Sequence, residues 1–193
     1  MVNVKAERKE ESRGRILASA GSLMREKGIS GASVSEVMGG AGMTVGGFYA
    51  HFPSKRSLVA EALKETIRKS RDLLAAGARG KHGTDWVNAV ARSYLSRQHR
   101  DHPEIGCPLP STLGEVARED LAVREALAGE LSNTAAEIAS HLEAAGSDDP
   151  QGEALAVLAT MVGGLTLSRA LRETESSDAI LLACRRHIER SLK

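Results

Sequence analysis

Aromatic side chains are nearly absent: Phe48, Tyr49, Phe52, Trp86 and Tyr94 are the five in 193 residues, 3% of the chain. With Val and Ile thinly spread and Ala, Leu, Glu and Arg abundant, the composition argues for helix over strand. Cysteine is rarer still. Cys107 and Cys184 are too few for a disulfide framework or a thiolate zinc site, and they fit a reduced, intracellular setting. No charge of one sign prevails, since 26 Lys+Arg face 25 Asp+Glu, so the chain as a whole does not advertise a polyanionic partner. Nor is there a long hydrophobic run. The most apolar stretch, 154–167, is about fourteen residues where a bilayer span needs about twenty, and it contains Gly163 and Gly164. The start of the chain, with Lys5, Glu7, Arg8, Lys9, Glu10 and Glu11, lacks the apolar centre of a signal peptide. These absences predict a soluble, cytoplasmic protein with no membrane partner. A nucleophile elbow, a phosphate loop and a paired-histidine metal motif are also missing, so neither an enzyme nor a metal or other cofactor is expected.

What is present is an ordinary globular balance, 41% hydrophobic and 26% charged, in a length that suits one domain or a small module fused to a larger one. Charge is unevenly placed. The first sixty residues carry nine Lys+Arg against five acids, while the remainder carries 17 basic and 20 acidic groups. A mildly basic head on a mildly acidic body is the asymmetry of a nucleic-acid-binding module joined to a second domain, although chance scatter also produces it.

Every long segment reads as helix. Over 12–27, Ile16, Leu17, Ala20, Leu23 and Met24 recur at three- and four-residue spacing as one apolar stripe. Gly28 stands where a left-handed residue ends a helix, and Ile29 can fold back on the last turn. Ser33-Val34-Ser35-Glu36 is a capping box opening a short helix to about 40. Thr44 can cap a second short helix through about 51, and Ser54 a long one to about 76. Further helices are predicted at about 84–100, 111–127 with Asp120 a candidate break, on to 145, then 151–173 and 178–192, with a proline loop over 102–111. No stretch alternates with period two. The fold class is all-α.

The window 33–55 carries the functional signal. Two short helices joined by a turn at Gly42 describe a helix-turn-helix, whose second helix enters the major groove. Three of the five aromatics fall within 48–52. Phe48 and Phe52, four apart, share a face and serve as core, which turns Tyr49 and His51 outwards to donate to phosphates. Lys55 sits in the first turn of the next helix beside free backbone N–H groups, a ready anion site.

The stretch 37–55, and above all Phe48-Tyr49-Ala50-His51-Phe52-Pro53-Ser54-Lys55, closely resembles the DNA-binding domain of the TetR family of bacterial transcriptional regulators. The family pattern ends in an aromatic or aliphatic residue, Tyr, two variable positions, Phe, a variable residue, Ser or Asn, and Lys, and this ending matches throughout. The resemblance covers about 9–69; beyond it the chain shares the helical layout and a Gly106-Cys107-Pro108-Leu109 loop. It implies an N-terminal three-helix helix-turn-helix DNA-binding domain, 9–69, and a C-terminal helical ligand-binding and dimerisation domain, 70–193. It implies DNA contacts by Thr44, Val45 and Gly46 at the start of the recognition helix, with Tyr49 and Lys55 on phosphates and His51 on the backbone. Gly47 departs from the Thr or Ser common there, so a hydroxyl contact is missing. The four glycines 39, 40, 46 and 47 each cost helix stability of about 1 kcal/mol relative to Ala. With few reaching side chains, DNA shape is expected to carry more of the specificity.

The last two helices bear on partners. Ala154, Leu155, Val157, Leu158, Met161, Val162, Leu165 and Leu167 cover more than one face, and Ile180, Leu181, Cys184, Ile188 and Leu192 form a stripe. That surplus suggests a homodimer through about 151–173 and 178–192, which the resemblance makes a four-helix bundle; a buried monomer core is the alternative. The resulting reading is a repressor on an inverted-repeat, double-stranded operator, released by a small-molecule effector, with activation left open. For the effector, Trp86, Tyr94, Met161 and Leu165 are candidate lining residues or plain core, and Cys107 is a sensing thiol or an inert one, the inert reading being preferred. Arg97, His99, Arg100 and His102 are a polar cluster that is either a solvated surface or an anion site. A helical protein-interaction module without sequence-specific DNA binding is the competing function.

Overall fold

The structure is a computed structural model that describes residues 4–193, the side chain of Lys5 excepted. Among the described residues every regular element is helical. In order they are α1 Val4–Lys27, α2 Val34–Gly40, a 3₁₀ helix Val45–Ala50, α3 Lys55–Ala76, α4 Gly83–Tyr94, α5 Arg97–Asp101, a short 3₁₀ helix Pro103–Ile105, α6 Leu109–Val116, α7 Leu121–Glu143, α8 Pro150–Ala170 and α9 Glu175–Ser191. The chain forms two compact units. The first runs to Arg68 and takes in Cys107–Ala128; the second comprises Lys69–Gly106 and Gly129–Lys193.

In the first unit, Ile16, Leu17, Ala20 and Met24 of α1 are buried as the stripe predicts. The helix begins at Val4, earlier than the stripe, because the charged residues ahead of it form helix well and remain exposed. Gly28 has φ +77° and closes α1, and Ile29 is buried behind it. The capping box is present: Ser33 Oγ accepts from the Glu36 N–H at 3.2 Å, and Glu36 Oε2 accepts from the Ser33 N–H at 3.3 Å. Ser54 Oγ accepts from the Ser57 N–H at 3.1 Å and starts α3. Arg13 ties α1 both to α3 and to the segment just ahead of it. It pairs with Glu61, and its guanidinium lies over the Phe52 ring at 4.7 Å.

The segment 84–100, expected as one helix, is two. Ser96 takes an extended conformation and its Oγ accepts from the His99 N–H at 3.1 Å, so α5 starts afresh with its own cap. The proline loop is shorter than expected, since Pro110 fits the first turn of α6, where its missing N–H costs nothing. Asp120 does break the next stretch: its Oδ1 accepts from the Val123 N–H at 3.2 Å at the head of α7.

In the second unit, α8 and α9 pack along each other and against α4. Gly164 permits the approach, because a Cβ there would come within 2.7 Å of Cys184 Sγ and 3.1 Å of Leu95. The α8–α9 turn is tied by buried Ser168 and Ser177, each hydroxyl bonding the other residue's carbonyl at 2.9 and 2.8 Å. Among the described residues, α8 is the one helix long and apolar enough to cross a membrane by length and composition; its inward face is buried in this unit while Leu155 and Leu167 face out.

Candidate nucleic-acid interface

The expected recognition helix is a 3₁₀ helix, Val45–Ala50, entered through an extended Thr44 whose hydroxyl makes no capping bond. Two glycines in six residues leave little to hold an α-helical turn. His51 follows the helix as its C-cap, its backbone N–H donating to the Phe48 carbonyl. His51 is half-buried, with Nδ1 buried and making no hydrogen bond within the protein, rather than turned fully outwards.

Phe48 and Phe52 are both buried, their rings 5.9 Å apart and 28° from parallel, which confirms the pair as core. This anchor presents the opposite face to solvent. Tyr49 is 77% exposed, its ring edge-on to Phe48 at 5.2 Å, and Val45 is 49% exposed. Thr44, Gly46 and Ala50 are exposed beside them, and Gly47 is half-buried with Met38 and Met43 near its backbone. Lys55 is half-buried at the first position of α3. Lys27 is engaged by Glu36 at 3.0 Å, and Arg56 lies 3.6 Å from Asp120, so these two cations carry partners of their own. Lys27, with help from Ser33, holds the Glu36 carboxyl down at about 2.

Sequence reading missed Glu115. Its two carboxylate oxygens accept from the backbone N–H groups of Ile29 and Ser30 at 2.7 and 2.8 Å, in the turn that joins α1 to α2. Gly28 leaves room for this approach, since a Cβ there would collide with Glu115. One residue turn away, Ser111 Oγ donates to the Arg25 carbonyl at 2.7 Å. Thus α6 pins the end of α1 and the entry to the helix-turn-helix. No local pattern announces a carboxylate that acts 86 positions away.

The effector candidates are all buried. Trp86 stacks on His141 at 4.0 Å, Tyr94 meets His99 edge-on at 4.6 Å, and Met161 and Leu165 belong to the α8 core. Cys107 is also buried, within the first unit. Burial pushes the half-buried Cys184 thiol up, in keeping with a packing role. The Arg97, His99, Arg100 and His102 cluster is knitted into the fold: Arg100 bonds Asp101 at 2.8 Å and Asp178 at 2.7 Å, and Arg97 Nε bonds Asp178 at 3.1 Å. A cleft of about 240 Å³ in the second unit is lined instead by Ser70, Leu73, Leu74, Ser93, Ser96, Gln98, His99, Ile105 and Gly106.

Comparison with known proteins covers both parts of the chain. Residues 16–62 match the profile of bacterial regulatory proteins of the tetR family, and residues 83–184, just over half of the chain, match the tetracyclin repressor-like C-terminal domain. Over 178 residues the chain is 26% identical to the uncharacterized HTH-type transcriptional regulator Rv0196 of Mycobacterium tuberculosis, spanning 87% of this chain and 89% of that protein. A 54-residue stretch is 41% identical to the HTH-type transcriptional regulator CymR of Pseudomonas putida, but spans only 28% of this chain and 27% of CymR. A TetR transcriptional regulator from Chloroflexus aurantiacus J-10-FL is similar with a TM-score of 0.78 and 25% identity over 96% of both chains. The reduced form of E. coli NemR shares the fold with a TM-score of 0.78 and 20% identity, over 93% of this chain and 96% of that one.

Proposed function

The chain belongs to the TetR family of bacterial regulatory proteins and is a DNA-binding transcriptional regulator; from that premise we propose that it is a cytoplasmic, dimeric repressor, released from an inverted-repeat operator by a small-molecule effector. The observation that carries the DNA-contact assignment is Tyr49, 77% exposed on a 3₁₀ helix whose neighbouring Phe48 is 1% exposed. An aromatic left in water while its neighbour anchors the core is suited to contact a partner, and its phenol can donate to a phosphate. Val45, Gly46 and Gly47 lie on the same short element, and Thr44, His51 and Lys55 flank it. In this reading 9–69 acts as the DNA-binding domain and 70–193 as the effector and dimerisation domain.

Dimerisation is supported by what α8 and α9 leave uncovered. Their shared face is buried, yet Leu155, Leu167 and Leu182 are 52, 55 and 40% exposed. A second copy would cover this apolar surface, and two-fold symmetry would then set two recognition elements about one DNA turn (~34 Å) or a multiple apart. An effector releases DNA only if it binds the non-binding conformer more tightly than the binding one.

Selection from a random duplex DNA pool by the purified full chain, at two salt concentrations, tests the proposal. Enrichment of an inverted repeat whose retention falls with salt is expected. Salt-sensitive retention without an enriched sequence would reduce the protein to a nonspecific DNA binder. No retention at low salt would leave a helical interaction module.

A further inference from the structure

We infer that Val45 is the base-reading residue of the recognition element and reads thymine through its 5-methyl group, so that each operator half-site carries a thymine opposite Val45. The inference rests on the DNA-binding reading above and gives it a base chemistry. The 3₁₀ helix Val45–Ala50 and its cap Thr44 expose Thr44, Val45, Gly46, Tyr49 and Ala50. Residues 44–50 contain no Arg, Lys, Asn, Gln, Asp or Glu. The bidentate pairings that identify guanine and adenine, and the carboxylate that accepts from cytosine, are therefore all denied to this element. A hydroxyl bonds to more than one base, so Thr44 does not discriminate. The discrimination left is apolar contact with the methyl group that thymine alone displays in the major groove.

Val45 is the exposed residue placed to make that contact. The first residues of a recognition helix meet the base edges, and Val45 is the first of this one, its apolar side chain 49% exposed. Tyr49 and Ala50 stand at the far end, where the Tyr49 phenol suits a phosphate. Gly46 points to the same contact independently. Its φ is not in the left-handed region, and a Cβ there would meet nothing within 4 Å. Neither backbone conformation nor internal packing therefore calls for glycine, which weakens a helix relative to alanine. A glycine beside Val45 supplies instead room for an outside partner to approach the backbone closely. With no Cβ at 46 or 47, a duplex can bring a thymine methyl into van der Waals contact with Val45.

The test titrates the full chain against the duplex it selects from the random pool, with each thymine in turn replaced by deoxyuridine, which pairs identically and lacks the methyl. Loss of one buried methyl corresponds to an affinity about 4-fold weaker, and of one in each half-site to about 15-fold. Wild type is expected to show these losses at one thymine per half-site. Val45→Ser, which has no methyl groups to offer, should bind the thymine and uracil duplexes within about twofold of each other there. This coupling separates contact from shape, since a methyl acting on groove geometry would affect both proteins alike. Gly46→Ala should unfold at no lower urea concentration than wild type, yet bind the selected duplex at least ~10-fold more weakly. Uracil tolerated within about twofold at every thymine, an equal loss in wild type and Val45→Ser, or full affinity in Gly46→Ala would each overturn the inference. A pool that yields no inverted repeat overturns the regulator reading and this inference with it, whereas an inverted repeat indifferent to the methyl overturns this inference alone.

Discussion

Glu115→Ala offers the most searching test of how the helix-turn-helix is held. The substitution removes an ionic acceptor from two backbone N–H groups bonded at 2.7 and 2.8 Å. A hydrogen bond to a charged group contributes about 1.5–3 kcal/mol, and a buried donor left unpaired costs as much. Ser30 is exposed and its N–H can turn to water, whereas Ile29 is only 3% exposed, so most of the loss falls there. The expected destabilisation of the α1–α2 turn is ~2–3 kcal/mol, or roughly a 30- to 150-fold loss of protection against amide hydrogen exchange at Ile29. Glu115→Gln, keeping one acceptor oxygen, should lose about half of that. The effect has a pH signature. Burial pushes the Glu115 carboxyl up, but the bonds from Ser30 and Ile29, with Arg118 nearby, outweigh burial and leave it lowered from its ordinary 4.5. A carboxylate whose folded value is depressed stabilises fully above the unfolded value and ceases to do so as pH falls through the folded one. The difference between wild type and Glu115→Ala should therefore be constant at neutral pH and shrink below about 4.5. Less than a twofold change in Ile29 exchange at pH 7 would refute the clamp. So would a difference that persists undiminished in acid.

Other expectations follow from the same structure. Lys55→Ala should weaken DNA binding on all sequences alike and make the salt dependence shallower by about one unit of log–log slope, and Tyr49→Phe should weaken it uniformly; unchanged affinity in both would remove these residues from the interface. Phe52→Ala should cost about 3–5 kcal/mol in urea unfolding, since the ring is fully buried, stacks on Phe48 and lies under Arg13; a loss under about 1 kcal/mol would deny it a core role. Glu36 should titrate near 2 by carbon NMR and move back towards 4.5 in Lys27→Ala, because Lys27 is its chief stabilising partner. By the same sign rule, the capping of α2 holds above about 4.5 and loosens as pH falls towards 2. An ordinary midpoint in the wild type would show that the Lys27 pair does not form in solution.

Much of this was legible because it is local. The capping box at Ser33 and Glu36, the left-handed Gly28 and the Ser54 cap involve residues a few positions apart, where backbone geometry fixes which atoms can meet. The Phe48 and Phe52 pair was legible for the same reason. His51 is turned less fully outwards than α-helical spacing predicts, because it stands as the cap just past a 3₁₀ helix rather than within an α-helix. Trp86 and Tyr94 share a helix face as their spacing predicts. Which face is packed and which lines a cleft depends on neighbours contributed by distant helices.

By itself, then, the sequence determined the helical class, the helix-turn-helix and the exposed Tyr49, because periodicity, caps and one motif act within a turn or two of chain. Tertiary structure alone decided that Glu115 holds the Ile29–Ser30 turn, that Arg13 is committed to Glu61 and Phe52, and that burial pushes the His99 imidazole down to about 4. Those outcomes depend on chain folding that brings together side chains dozens of residues apart, where burial and partner geometry, not spacing, set which hydrogen bonds form and which groups keep their charge.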